Sequence, residues 1–280
     1  MKLSKFLLLG ALASSLGGLL FGFDTAVISG AEQGLKKYFD LSPFAHGFTN
    51  SIALIGTVVG AILAFLPAQH FGRKKSLIAI GFLYAISALG CALTGVWEWF
   101  ILFRFIGGVG VGASSVIGPL YISEISPSAY RGRLVGLFQF NIVLGILLAF
   151  VSNYFINMYI QVESWRWMLG IEMIPAILFL GLTFKIPKSP RWLIENNMLE
   201  EGVLVLRLLG DVSPQTTLER IRRSLKGKTK KENLFQGKYL KPILLVFLMA
   251  TFNQFSGINA IMYYAPRIFE MSGLATDTAF

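Results

Sequence analysis

The sequence predicts an all-α membrane protein of seven spans: a six-helix bundle, a basic linker, and the first helix of a second bundle. Three observations carry this. The mean hydropathy is +0.63, and charged residues make up only 14% of the 280, against about 25% in ordinary soluble domains. Those charges are bunched, leaving apolar runs longer than the ~18 residues that mark a membrane span. The basic residues also alternate from loop to loop, as they do when cationic loops stay in the cytoplasm.

In chain order, span one runs from about Phe6 to Ile28, span two from Phe48 to Leu66 and span three from Ser76 to Val96. Span four covers Trp97 to Ile122, span five Leu134 to Ile156 and span six Arg166 to Ile186. A polar, basic stretch from Pro187 to about Tyr239 has helical periodicity, with Leu204, Leu208 and Leu209 on an apolar face. Span seven begins near Pro242 and ends near Pro266. The units are therefore 1–186 as the bundle, 187–240 as a cytoplasmic linker of short amphipathic helices, and 241–280 as the start of a second bundle. The opening MKLSKFLLLGALASS imitates a secretory signal, but its apolar run continues through GGLLFGF, which argues for a retained span.

Loop charge sets the orientation. Arg73, Lys74 and Lys75 follow span two, Arg131 and Arg133 follow span four, and 13 of the 25 Lys and Arg lie between Lys185 and Lys241. The intervening loops are near neutral, so the amino terminus is cytoplasmic, in agreement with Lys2 and Lys5. The net charge of +10 thus reads as a lipid-facing cytoplasmic surface rather than a nucleic-acid site. The single cysteine, Cys91, excludes an internal disulfide and a cysteine-based metal site. No cofactor or metal is expected. Gly56/Gly60 and Gly108/Gly112 are small-xxx-small pairs that let helix backbones approach in lipid. The GGVGVG run from Gly107 belongs to that packing and not to a dinucleotide loop, since no strand precedes it.

Three charges stand inside spans: Asp24 in span one, Arg104 in span four and Glu172 in span six. A central charge costs about 2.5–3.5 kcal/mol on insertion scales, so such residues face a partner or a cavity. Burial favours a neutral carboxylic acid while a nearby guanidinium favours the carboxylate. An acid balanced between them can exchange a proton as its surroundings move, which makes Asp24 a candidate proton carrier with Arg104 as modulator; a static ion pair is the competing reading. Gln139 in span five and Asn253, Gln254 and Asn259 in span seven form a second theme. Carboxamides both donate and accept hydrogen bonds, which suits a hydroxyl-covered ligand. Interhelical hydrogen bonding is the alternative. Phe21, Tyr263 and Tyr264 are placed either to face the C–H side of a sugar ring or to pack.

These residues sit in motifs that resemble the sugar porters of the major facilitator superfamily. Span one reads GGLLFGFDTAVISG and the next cytoplasmic loop FGRKKSL; span four and its exit read RFIGGVGVGASSVIGPLYISEISPSAYRGRL. After span six comes IPKSPRWLIE, and span seven reads NQFSGINAIMYYAP. The resemblance covers the whole chain and implies an amino-terminal six-helix bundle, intracellular helices and the first helix of the second bundle. It implies transport of a monosaccharide by alternating access. Asp24 with Arg104 matches the carboxylate–arginine pair of proton-coupled members, where facilitative members commonly have an amide. Glu172 matches a nearby family glutamate. Gln139, Gln254, Asn259 and Phe21 match sugar-contacting positions, with Asn253 and Tyr263 beside them. Arg73, Glu124, Arg131 and Arg191 match a cytoplasmic salt-bridge gate. Four positions depart from the pattern. Gln69 replaces an acidic or Asn residue before FGR, weakening one gate contact. Lys188 replaces the glutamate of P-E-S-P-R, Asn253 replaces the first of two glutamines, and Ile146 stands where some pentose symporters carry a further glutamine.

The family has twelve helices, so the chain is expected to lack five, to need a missing carboxy-terminal half, and to transport nothing alone. The expected partners are a monosaccharide, a proton and the lipid bilayer. A polyol carrier, a uniporter and a transporter-like sugar sensor are the alternatives. An enzyme is not expected: the two histidines, His46 and His70, fall near opposite membrane faces, and no Ser-His-Asp set or phosphate loop occurs.

Overall fold

The computed structural model describes residues 4–226 and 237–272. Lys2, the linker residues 227–236 and the end of the chain from 273 to 280 lie outside them, and so do the parts of the expectations that fall there. The described residues form helices joined by short turns. Seven of these, counting interrupted ones as single units, are long and apolar enough to cross a membrane.

Helix α1, Lys5–Tyr38, is capped by the Ser4 hydroxyl, which accepts from the Leu7 N–H at 3.1 Å. It continues ten residues past the expected end at Ile28. Nothing there stops it: Gly30 and Gly34 do not break it but receive the side chains of Asn153 and Trp165. Lys36 and Lys37 in its last turn suit the negative end of the helix dipole. The signal-like residues Leu7, Ala11 and Ala13 are fully buried in the core of the bundle.

Span two is interrupted. Helix α2 (Pro43–Leu63) passes into a short α3 (Phe65–His70), where Pro67 removes a backbone donor. Helices α4 (Arg73–Leu93), α5 (Trp97–Ile125) and α6 (Arg131–Tyr159) match spans three to five. Span six is not continuous as expected. It divides into α7 (Ser164–Gly170) and α8 (Met173–Lys185), with Glu172 at the break. Pro175, which lacks the N–H that would bond Ile171, explains the interruption; the Ile174 N–H takes that carbonyl instead at 3.0 Å. The linker forms α9 (Pro190–Glu195), α10 (Leu199–Leu208) and α11 (Pro214–Lys226). Span seven is α12 (Gly237–Phe255) and α13 (Ile258–Met271), separated by a turn at Ser256–Gly257 where Gly257 has φ +74°.

Backbone contact knits the bundle in two pairs. Between α2 and α5, a Cβ on Gly60 would lie 2.1 Å from the Val109 carbonyl oxygen, and one on Gly112 1.9 Å from that of Thr57. Both expected glycine pairs therefore pack as read. A second glycine seam joins α1 to α6: a Cβ on Gly22 would meet the Ile142 carbonyl oxygen at 1.9 Å, and one on Gly145 that of Leu19 at 2.1 Å. The linker helices dock on the end of the bundle that holds Gln69 and Arg73, here called the linker face.

Candidate functional site

Asp24 and Arg104 meet at mid-bundle. Arg104 on α5 donates from Nη1 to Asp24 Oδ1 on α1 at 2.5 Å, and both residues are almost fully buried. Two small neighbours make room. Gly107, one turn after Arg104, would place a Cβ 4.0 Å from Asp24 Oδ1, and Ser87 on α4 closes the same space. Arg104 Nε has no partner among the described residues, so the guanidinium is not fully engaged by the carboxylate. Glu172 is buried at the α7–α8 break and lies within electrostatic reach of both charges, but its side chain makes no hydrogen bond or ion pair among the described residues. The three span charges are thus brought together, with only two of them in contact. Tyr263 of α13 is buried and lies within reach of the same pair, so span seven closes over it.

Of the four carboxamides, Gln139, Asn253 and Gln254 are exposed and Asn259 is half-buried. Asn259 donates to Gln254 Oε1 at 2.8 Å across the Ser256–Gly257 turn. Asn253 is exposed, and its carbonyl oxygen accepts from the Ser256 hydroxyl. These residues therefore cluster at an interruption in span seven, where helix ends leave backbone groups free to meet a solute. Gln139 is exposed on α6, and its side chain makes no hydrogen bond among the described residues. It follows the α1–α6 seam, one turn from Ile142 and two from Ile146, which pack against the two core clusters. Among the described residues no hydrogen bond joins Gln139 to Gln254 or Asn259. Phe21 is half-buried against the core.

At the linker face, Arg73 donates from Nη2 to Glu124 Oε1 at 2.7 Å, and the Ser189 hydroxyl donates to Glu124 Oε2 at 2.6 Å. Ser189 also caps α9 by accepting from the Trp192 N–H. Arg131 and Arg191 are not part of this pairing. They line an adjoining cavity of about 1050 Å³ and form no ion pair among the described residues. The two gate departures are accommodated. Gln69 holds the linker through its backbone, accepting from Trp192 Nε1 at 2.8 Å. Lys188 turns to Glu201 on α10 at 2.9 Å instead of joining the Arg73 pair. The bridging roles of Ser189 and Trp192 escaped the sequence reading, although the S-P-R-W string that supplies them was in view. Among the described residues no group of His, Cys, Asp and Glu is arranged to hold a metal.

Comparison with known proteins identifies the family and the fold. Residues 10–280 match the family model described as sugar (and other) transporter. The chain is 39% identical to the arabinose-proton symporter of Bacillus subtilis over 287 residues, covering 98% of this chain and 61% of that one. It is 36% identical to the D-xylose-proton symporter of Escherichia coli K12 over 308 residues, covering 99% and 63%. The structure of the proton:xylose symporter XylE bound to 6-bromo-6-deoxy-D-glucose superposes with a TM-score of 0.88 at 35% identity, covering 99% of this chain and 65% of that one. The chain thus spans about three fifths of the length of the curated relatives it matches.

Proposed function

Since this chain belongs to the sugar (and other) transporter family, within the major facilitator superfamily, we propose that it forms the first bundle, linker and seventh span of a proton-coupled monosaccharide carrier. The observation that carries the reading is the buried Asp24–Arg104 pair. An acid and a base sealed together in lipid gain little stability over an apolar pair. Their retention at the centre of the bundle fits a proton that must load and unload there. The related symporters for arabinose and xylose support the same coupling and a small polyhydroxylated substrate.

In this reading Asp24 takes up the proton, Arg104 favours its release, and Glu172 adjusts the local field. Gln254 and Asn259 exchange their mutual hydrogen bond for sugar hydroxyls, with Asn253, Gln139, Phe21 and Tyr263 completing the wall. Once a second bundle covers these amides, a solute lacking the hydroxyls would leave them unpaired at about 1–3 kcal/mol each. Arg73, Glu124, Arg131 and Arg191 form the cytoplasmic gate, with the linker face and the amino terminus inside the cell and residues 1–186, 187–240 and 241–280 as the three units. The remaining wall comes from a second bundle, against which this one rocks.

The test uses the chain joined to spans eight to twelve of the B. subtilis symporter, reconstituted in liposomes. Asp24→Asn should abolish arabinose or xylose accumulation driven by a pH gradient while sugar counterflow persists. Accumulation undiminished in Asp24→Asn removes the proton role. The chain reconstituted by itself should give no saturable flux.

A further inference from the structure

Helices α4 and α8 lie side by side, close enough that a Cβ on Gly81 would come within 2.9 Å of Leu180 Cδ1. Each turns an apolar ridge outward. On α4 the exposed positions Ala79, Phe82 and Ile86 recur at helical spacing; on α8 they are Ile177, Gly181 and Phe184. Both helices belong to spans long and apolar enough to cross a membrane, so these ridges face lipid. Gly181 has open space around it, which leaves a shallow notch in the α8 ridge.

At the linker face each ridge ends in an exposed lysine, Lys75 on α4 and Lys185 on α8. Two more lysines join them. Lys74 donates from Nζ to the Phe184 carbonyl oxygen at 2.9 Å, which ties the start of α4 to the end of α8. Lys188, just past α8, lies within electrostatic reach of Lys74. Four ammonium groups thus share one edge of the bundle. Glu201, at 2.9 Å from Lys188 Nζ, is the one carboxylate that pairs with any of them among the described residues. Membrane topology asks only that cations lie in the loops on this side. It does not require them to gather at one edge, nor a lysine at 188 where the sugar-porter pattern has a glutamate.

We propose that this edge is a docking site for an anionic phospholipid of the leaflet on the linker side. Lys75, Lys185 and Lys188 hold its phosphate, and its acyl chains lie along the α4 and α8 ridges, over the notch at Gly181. Basic pockets at the ends of spans recognise anionic headgroups in this way. An apolar ridge that ends in cations selects an amphiphile with an anionic head; a soluble phosphate would meet the lysines but leave the ridges bare. The headgroup offsets the repulsion between Lys74 and Lys188, and it fastens the first residues of the linker to the membrane. The inference rests on the placement of these spans in a bilayer and not on sugar or proton coupling.

The test is native mass spectrometry of the chain released from detergent micelles that hold equal amounts of phosphatidylglycerol and phosphatidylcholine with the same acyl chains. The parent should retain phosphatidylglycerol in preference. Lys75→Gln with Lys185→Gln should cut that preference by about fivefold for each lysine removed. Both side chains are exposed and form no ion pair among the described residues, so this variant keeps the fold. Lys188→Glu should lower the preference as well. Arg207→Gln with Arg222→Gln takes the same charge from exposed positions on α10 and α11 and should leave the preference unchanged. Excess glycerol phosphate should not displace the lipid. Equal retention of the two lipids by the parent, equal losses in the lysine and arginine pairs, or displacement by glycerol phosphate would each overturn the proposal. None of these results bears on the pH-gradient experiment at Asp24.

Discussion

At the scale of single residues, the paired charges Asp24 and Arg104 are tolerable only in each other's company. Removing one member of a buried pair strands the other, at about 3–5 kcal/mol. Arg104→Leu should therefore lower the thermal unfolding midpoint in detergent markedly. Arg104→Leu with Asp24→Asn should recover part of the loss, because no bare carboxylate remains. Equal loss in the single and double variants would mean that packing, and not charge, sets the cost. The sequence made this pair legible, since acids and bases inside apolar runs are conspicuous. It could not reveal that Glu172 stays out of contact, because that depends on a helix break. Nor could it show that Gln254 and Asn259 satisfy each other, because five residues apart they would not pair so directly on an unbroken helix.

At the scale of elements, glycine decides which helices touch. Adding a methyl group at Gly112 would drive it into the Thr57 carbonyl, and α2 and α5 would have to separate. Gly136, on the exposed side of α6, has open space around it. Gly112→Ala should destabilise the protein or prevent its recovery, while Gly136→Ala should be neutral or gain up to ~1 kcal/mol from helix propensity. Thermal unfolding of the two variants side by side distinguishes them; similar midpoints would count against close backbone packing. The α2–α5 seam could be read from two spaced glycine pairs. The α1–α6 seam was hidden because Gly18 and Gly22 lie within a motif that draws attention to Asp24, and Gly145 stands alone in span five. The breaks in spans two and six were marked by Pro67 and Pro175, but a proline in a lipid-spanning helix is tolerated often enough that its presence alone did not settle an interruption.

At the scale of the molecule, the described part of the linker, α9 to α11, is an organised part of the protein. Ser189 alone caps α9 and bridges to Glu124, and Trp192 reaches the end of span two through Gln69. Ser189→Ala should cost about 1 kcal/mol from the cap and more from the lost Glu124 bond. It should raise amide hydrogen exchange across α9 and α10 together; a change confined to α9 would show that the linker docks piecewise. The order of spans and the basic linker were plain from hydropathy and charge. Which arginines pair was not: Arg131 and Arg191 line the same cavity as Arg73 without its ion pair to Glu124. The turn at Gly257 carries a mechanical consequence. Two rods joined by a swivel need not move as one: torque applied at the Tyr264 end dissipates in the joint before it reaches α12. The half of span seven nearest the linker can then stay anchored while the other half swings.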